Sequence, residues 1–233
     1  MPAARTCYSL SAARNADPCP GGRAAMSEPY SAFLRLRISR ADLARWLAAA
    51  PPDVSRWSDW RSIGGQWSLP GGGDLSDPDA PGLQTLISDC NAMLARHRDN
   101  RAALEFVLGS AEAENIRIAA YDRQGRHFVA GSLIYSESLY DILFFLALGR
   151  SAAEFLATDD AGLVVVHDYL WGEDGERRTV AALCLAGNGH SSFLGPDASA
   201  AAAHEFDERV EAMLDGQDDP DFFPRDQLQD LRD

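Results

Sequence analysis

The chain has 233 residues, 46% of them hydrophobic and 24% charged. That composition excludes disorder throughout and allows one large core or two small ones. All 21 basic residues are arginine, set against 35 acidic ones for a net charge of −14. Without lysine there is no Schiff-base chemistry and no Walker-type phosphate clamp, and the acidic balance disfavours nucleic acid and anionic membrane as partners.

Residues 1–25 are Ala, Pro, Gly, Ser and Arg with almost no large apolar side chain. Nothing there offsets the entropy of ordering, so a disordered N-terminal extension is expected. Met26-Ser27-Glu28 directly precedes the first patterned segment, and translation is expected to begin there. No apolar stretch of signal-peptide length precedes it, so the default location is the cytoplasm. Cys7, Cys19, Cys90 and Cys184 show no paired spacing, which fits a reducing compartment and neither structural zinc nor any other cofactor.

From Tyr30 the pattern changes. Phe33 to Ile38 alternates with period two, placing Leu34, Leu36 and Ile38 on one strand face and Arg35 and Arg37 on the other. Ser39 then caps a helix whose stripe is Leu43, Trp46 and Leu47, and Pro51-Pro52 ends it. Val54 to Pro81 reads as a long loop carrying Trp57, Trp60 and Trp67. Leu83, Leu86, Ile87, Cys90, Leu94 and His97 recur at helical steps, and Ala103 to Leu108 reads as a short strand.

Two hairpins are predicted next. Ile116–Tyr121 and His127–Tyr135 flank the turn tetrad Asp122 to Gly125; Leu163–Trp171 and Arg178–Ala186 flank Gly172 to Gly175. Between them Ser138 caps an apolar helix to Leu148, and Ser151 to Ala157 forms a shorter one. The run Ile142 to Leu148 falls far short of the roughly 20 residues that span a membrane. Gly187 to Pro196 reads as a loop, and Ala198 to Leu214 as a helix ending at Gly216. Strands arriving as hairpins predict an α+β fold, an antiparallel or mixed sheet with helices packed mainly on one face. The predicted domain runs over 26–216, with an acidic tail at 217–233.

Short motifs suggest chemistry only weakly. Gly189-His190-Ser191-Ser192-Phe193 follows an apolar strand as a hydrolase nucleophile elbow would, but bulky Phe193 stands where the strained turn needs a small residue. His167-Asp168 are adjacent on a strand and point to opposite faces, so they cannot work as a dyad. The five histidines lack metal-ligand spacing. Asp74, Asp77 and Asp79 lack the calcium-loop alternation. The clustered tryptophans suit either a core or the edge of an interface.

Charge is more informative. Pro196 to Asp233 holds twelve carboxylates against three arginines, a one-signed field that attracts cationic protein surfaces. The expected function is therefore a non-catalytic, acidic protein-binding domain of the immunity or inhibitor kind, masking a cationic toxin or effector surface. Its expected contact residues are Asp207, Glu208, Glu211, Asp215, Asp218, Asp219 and Asp221. Phe222 and Phe223 would serve as apolar anchors, with Trp57 and Trp60 at an interface edge. The alternatives are a serine hydrolase using Ser191 with His167 or His190, and an assembly subunit interfacing through Leu139 to Leu148 and the tryptophan loop. Oligomeric state is left open. Arg35, Arg37, Arg40 and Arg45 form the one local basic cluster, leaving an anion site open.

Overall fold

The computed structural model describes residues 29–108, 117–169 and 178–215. The expected N-terminal extension, the turn at Gly172 to Gly175 and the acidic tail lie outside the described residues. In chain order the elements are β1 (Tyr30–Arg37), α1 (Arg40–Ala48), α2 (Gly82–Leu94), α3 (Asn100–Val107), β2 (Arg117–Asp122), β3 (His127–Ser136), α4 (Leu139–Ser151), β4 (Ala161–His167), β5 (Thr179–Ala186), β6 (His190–Phe193) and α5 (Pro196–Asp215). The strands form one open sheet in the order β2-β3-β1-β4-β5-β6, antiparallel at every pairing. The fold is α+β.

The period-two alternation of β1 sets the two layers. Ala32, Leu34 and Leu36 point into the larger core with α1, α2, α3 and α4, while Phe33 points the other way, into a smaller core under α5. β4 repeats the division, with Val164 and Val166 on the first side and Leu163 and Val165 on the second. Among the described residues, four α-helices thus share one face and α5 lies on the other.

At the centre of the larger layer is α4. From Ile142 to Ser151 every residue is buried, so the helix is apolar around its whole circumference, as a helix enclosed on all sides must be. It packs on β4 and β5 inside and on α2 and α3 outside. Its approach to the sheet is close: a Cβ on Gly149 would stand 2.8 Å from a methyl of Val164. Within the Leu139 to Leu148 segment, Leu139 and Ile142 to Leu148 are thereby buried inside this domain, and Tyr140 and Asp141 are half-buried.

Two elements differ from their sequence-based reading. Ala103 to Leu108 is not a strand; Asn100 to Val107 is a helix. Asp99 caps it by accepting the Ala102 amide at 2.8 Å, and the Asn100 side chain donates to the carbonyl of Trp46 at 2.9 Å. Ala103, Leu104 and Val107 then meet the core at helical spacing. The second difference is β6, inside the expected loop. Asn188 and Gly189 both take positive φ, 70° and 76°, which turns the chain back so that His190 to Phe193 pairs with β5.

The entry to α1 shows a reciprocal cap. The Ser39 hydroxyl accepts the Asp42 amide at 3.1 Å and donates to the Asp42 carboxylate at 2.7 Å. That hydroxyl, followed by the Arg45 guanidinium, holds the Asp42 carboxyl below its ordinary range. A carboxyl depressed in the folded state adds stability above its unfolded pKa of about 3.9 and loses it as pH falls through the folded value. Asp42→Asn is therefore expected to cost about 0.5 kcal/mol at neutral pH, with the difference from wild type closing in urea melts taken at progressively lower pH. A larger effect is expected on the other face. Phe206 of α5 is 1% exposed, and Phe206→Ala should cost about 4 kcal/mol in the same melts.

Candidate functional site

The tryptophan loop, the Gly189 to Phe193 segment and the end of α4 come together around one side chain, Arg150. Its guanidinium, 2% exposed, forms a two-pronged ion pair with Asp59 at 2.6 and 3.1 Å. Nε donates to the Ser191 hydroxyl at 2.9 Å. The guanidinium carbon lies 4.9 Å from the ring centres of both Trp57 and Trp60 and 5.6 Å from that of Phe193. Burying a cation is costly unless its charge and donors are matched, and here a carboxylate, a hydroxyl and three aromatic faces match them. The result ties three distant chain segments into one layer.

This arrangement reassigns several residues singled out from the sequence. Trp60 is fully buried and donates to the carbonyl of Val54 at 3.1 Å, so it cannot touch a partner directly. Trp57 is half-buried and stacks edge-on against Trp60 at 5.8 Å. Both line the Arg150 enclosure, and Trp57 keeps part of its side chain exposed. Ser191 is a hydrogen-bond acceptor for that same arginine, with its neighbour His190 pointing to the opposite strand face.

Nor does His167 approach Ser191. His167 pairs in register with Thr179, and Ser191 with Leu185, so six residues of β5 separate them, about 20 Å at strand rise. His167 is buried, with Thr179 Oγ1 at 3.3 Å from Nδ1 and Asp207 Oδ1 at 3.6 Å from Nε2. An open groove of about 450 Å³ does lie between β5, β6 and the first turn of α5. It is lined by residues such as Ser62, Thr179, Phe193 and Ser199, with no acid, base or thiol among its described lining residues.

The other candidates have local explanations. Asp74 accepts the amides of Ser76 at 2.8 Å and Trp67 at 3.1 Å, and Asp77 accepts that of Asp79 at 3.0 Å, so these carboxylates shape their own loop. His97 stacks on Phe106 at 4.9 Å. Among the described residues, no three His, Cys, Asp or Glu groups are placed to hold a metal ion. No helix among them is long and apolar enough to cross a membrane.

What the structure does leave facing solvent is one stripe of α5. Ala202, Phe206 and Val210 face the sheet, which turns Asp197, His204, Glu208 and Glu211 outward. Glu208 is 66% exposed and pairs with His204 at 3.3 Å. Two other acidic side chains lie on the flanks of the helix. Asp207 is 16% exposed beside His167, which removes it from the expected contact surface. Glu205 takes Arg35 of β1 at 2.7 Å and Arg209 of α5 at 3.2 Å. Asp215 is the last residue of α5; its side chain, and Asp218, Asp219, Asp221, Phe222 and Phe223, lie outside the described residues. Set against known proteins, the chain matches no family, no curated protein and no solved structure.

The Arg150 enclosure was not legible beforehand, since an arginine closing an apolar helix reads as a solvated cap. Its energetics are testable. Asp59→Ala strands the guanidinium and should cost about 3 kcal/mol, against about 1 kcal/mol for Ser191→Ala. Equilibrium unfolding of the two variants checks the ranking.

Proposed function

We propose that this chain is a non-catalytic, acidic protein-binding domain of the immunity or inhibitor kind, which covers a cationic surface on a toxin or effector protein. The observation that carries the reading is the sorting of charge on α5. The helix turns its one arginine, Arg209, toward Glu205 at its flank and leaves Asp197, Glu208 and Glu211 facing solvent. Among the described residues the only basic group meeting that stripe is His204. Beyond Asp215 the sequence adds six more aspartates and two arginines. A field of one sign accelerates encounter with a cationic cleft, and neighbouring apolar groups would supply the desolvated anchor. Asp218, Asp219, Asp221, Phe222 and Phe223 are the residues proposed to extend the contact.

Any basic protein encoded beside this chain is the natural test partner. In biolayer interferometry with the full chain, association is expected to slow at least tenfold between about 0.05 and 0.3 M salt. Glu208→Arg with Glu211→Arg should slow it comparably at low salt. Association indifferent to both salt and these exposed substitutions would refute the reading. Deleting α5 is not a usable variant, because Phe206 and Val210 are part of a core.

A further inference from the structure

The arginines that the sequence gathers between residues 35 and 45 do not all stay together. Arg35 and Arg37 lie two residues apart on β1 and so share the sheet face that carries α5. Arg45 leaves them and pairs with Asp42 on α1. In its place α5 brings Arg209, which shares Glu205 with Arg35 at 3.2 and 2.7 Å. β3 brings His127, set directly opposite Arg37 by the strand register. Val129 and Leu133 of β3 pack in the same core as Phe206 and Val210, so the helix carrying Arg209 is fixed against the strand carrying His127. Three guanidinium groups and an imidazole are thereby gathered from three elements.

The carboxylates around them are already engaged. Glu205 serves two arginines. Asp160 is buried and is met by Arg126 at 2.9 Å. Arg37 approaches only its other oxygen, at 3.9 Å. Asp122 accepts the amides of Gln124 and Gly125 at 2.9 Å each within the β2–β3 turn. Among the described residues, neither the Arg37 guanidinium nor the His127 ring makes a hydrogen bond. Arg209 commits its Nε to Glu205 and no other nitrogen of its fork. The positive charge is felt locally. Desolvation first, and then Arg35, Arg209 and Arg37, hold the His127 pKa below its ordinary value, opposed by Asp122.

We propose that Arg37, His127 and Arg209 form a binding site for a phosphate group, with Arg35 adding charge from behind Glu205. The donors suit that chemistry. A guanidinium offers parallel N–H groups to two oxygens of one oxyanion, and Arg37 and Arg209 both hold such donors unpaired. Neutral His127 adds one ring N–H. Access comes from solvent, since the Arg37 side chain is 52% exposed. Overall charge narrows the ligand. A chain of net charge −14 repels a long polyanion, whereas a compact phosphate fits within the roughly 8 Å over which these local charges act. The ligand is thus free phosphate or a small phosphate monoester. The site uses none of Asp197, Glu208 and Glu211, so it stands apart from the proposed protein contact.

The test follows the His127 ring signals of the full chain by NMR while inorganic phosphate, or separately phenyl phosphate, is added at constant pH and ionic strength. Saturable shifts are expected. Arg37→Gln should weaken binding at least about tenfold, and Arg37→Gln with Arg209→Gln should abolish saturation. Arg45→Gln, on the opposite face of the sheet, should bind as wild type does. Unchanged amide spectra outside the site will show that the variants fold, as expected for an exposed Arg37 without hydrogen bonds. Tighter binding of phenyl phosphate assigns the site to an organic phosphate, and equal binding assigns it to the free anion. Shifts that fail to saturate, that chloride reproduces, or that survive undiminished in Arg37→Gln would overturn the proposal. None of these outcomes bears on the salt dependence of the partner assay, so the two readings stand or fall separately.

Discussion

The rotation of α5 about its own axis is fixed by one apolar contact, and the surface chemistry follows from it. Phe206 sits among Phe33, His167 and Tyr169, with ring centres at 4.9, 6.4 and 5.7 Å. A helix turns about 100° per residue, so seating residue 206 inward sends 204, 208 and 211 outward and places 205 and 207 on opposite flanks. Glu205 then meets the arginines of one flank and Asp207 the histidine of the other. Had the helix been seated one residue differently, Glu205 or Asp207 would face the core, a burial that carboxylates do not tolerate without partners. The acidic exterior is thus a consequence of core packing.

On the other face an equivalent constraint operates through Arg150. A guanidinium at a helix C-terminus ordinarily reaches into water, where it complements the macrodipole. Here α4 is enclosed, and its terminal charge has to be satisfied inside the protein. Asp59, Ser191 and the rings of Trp57, Trp60 and Phe193 do so from a loop and a strand far away in sequence. Two tryptophans of the Val54 to Pro81 stretch, Trp57 and Trp60, are thus walls around a charge, in a stretch whose only helices are the 3-10 turns Val54–Arg56 and Trp60–Ser62. It also explains Phe193, whose bulk contradicted a nucleophile elbow and is instead one of those walls.

How much of this could be read from the residues depended on the range of the interactions involved. Local periodicity was legible: the alternation of Leu34, Arg35, Leu36 and Arg37 correctly separated two faces, and the capping serine before α1 marked the helix start. The Asn188–Gly189 turn carried a recognisable hairpin signal that was outweighed by the polar residues around it. The segment Ala103 to Leu108 was misread because a short apolar run is compatible with either period, and its Asp99 cap lies outside the run. Nothing local announced the pairing of Arg150 with Asp59, 91 residues apart. The buried position of Trp60 and the flank position of Asp207 were likewise tertiary facts.

The two charge patterns of the molecule act at different distances. Screening limits an exposed charge to about 8 Å at physiological salt. The charges of Arg35, Arg37 and Arg209 are therefore felt only by groups lying close to them, such as His127. The outward carboxylates of α5, Asp197, Glu208 and Glu211, share one solvent-facing stripe, where a charged group approaching the helix would meet them. A cationic surface would be drawn to the acidic side, and that pull would shorten in range as salt rises.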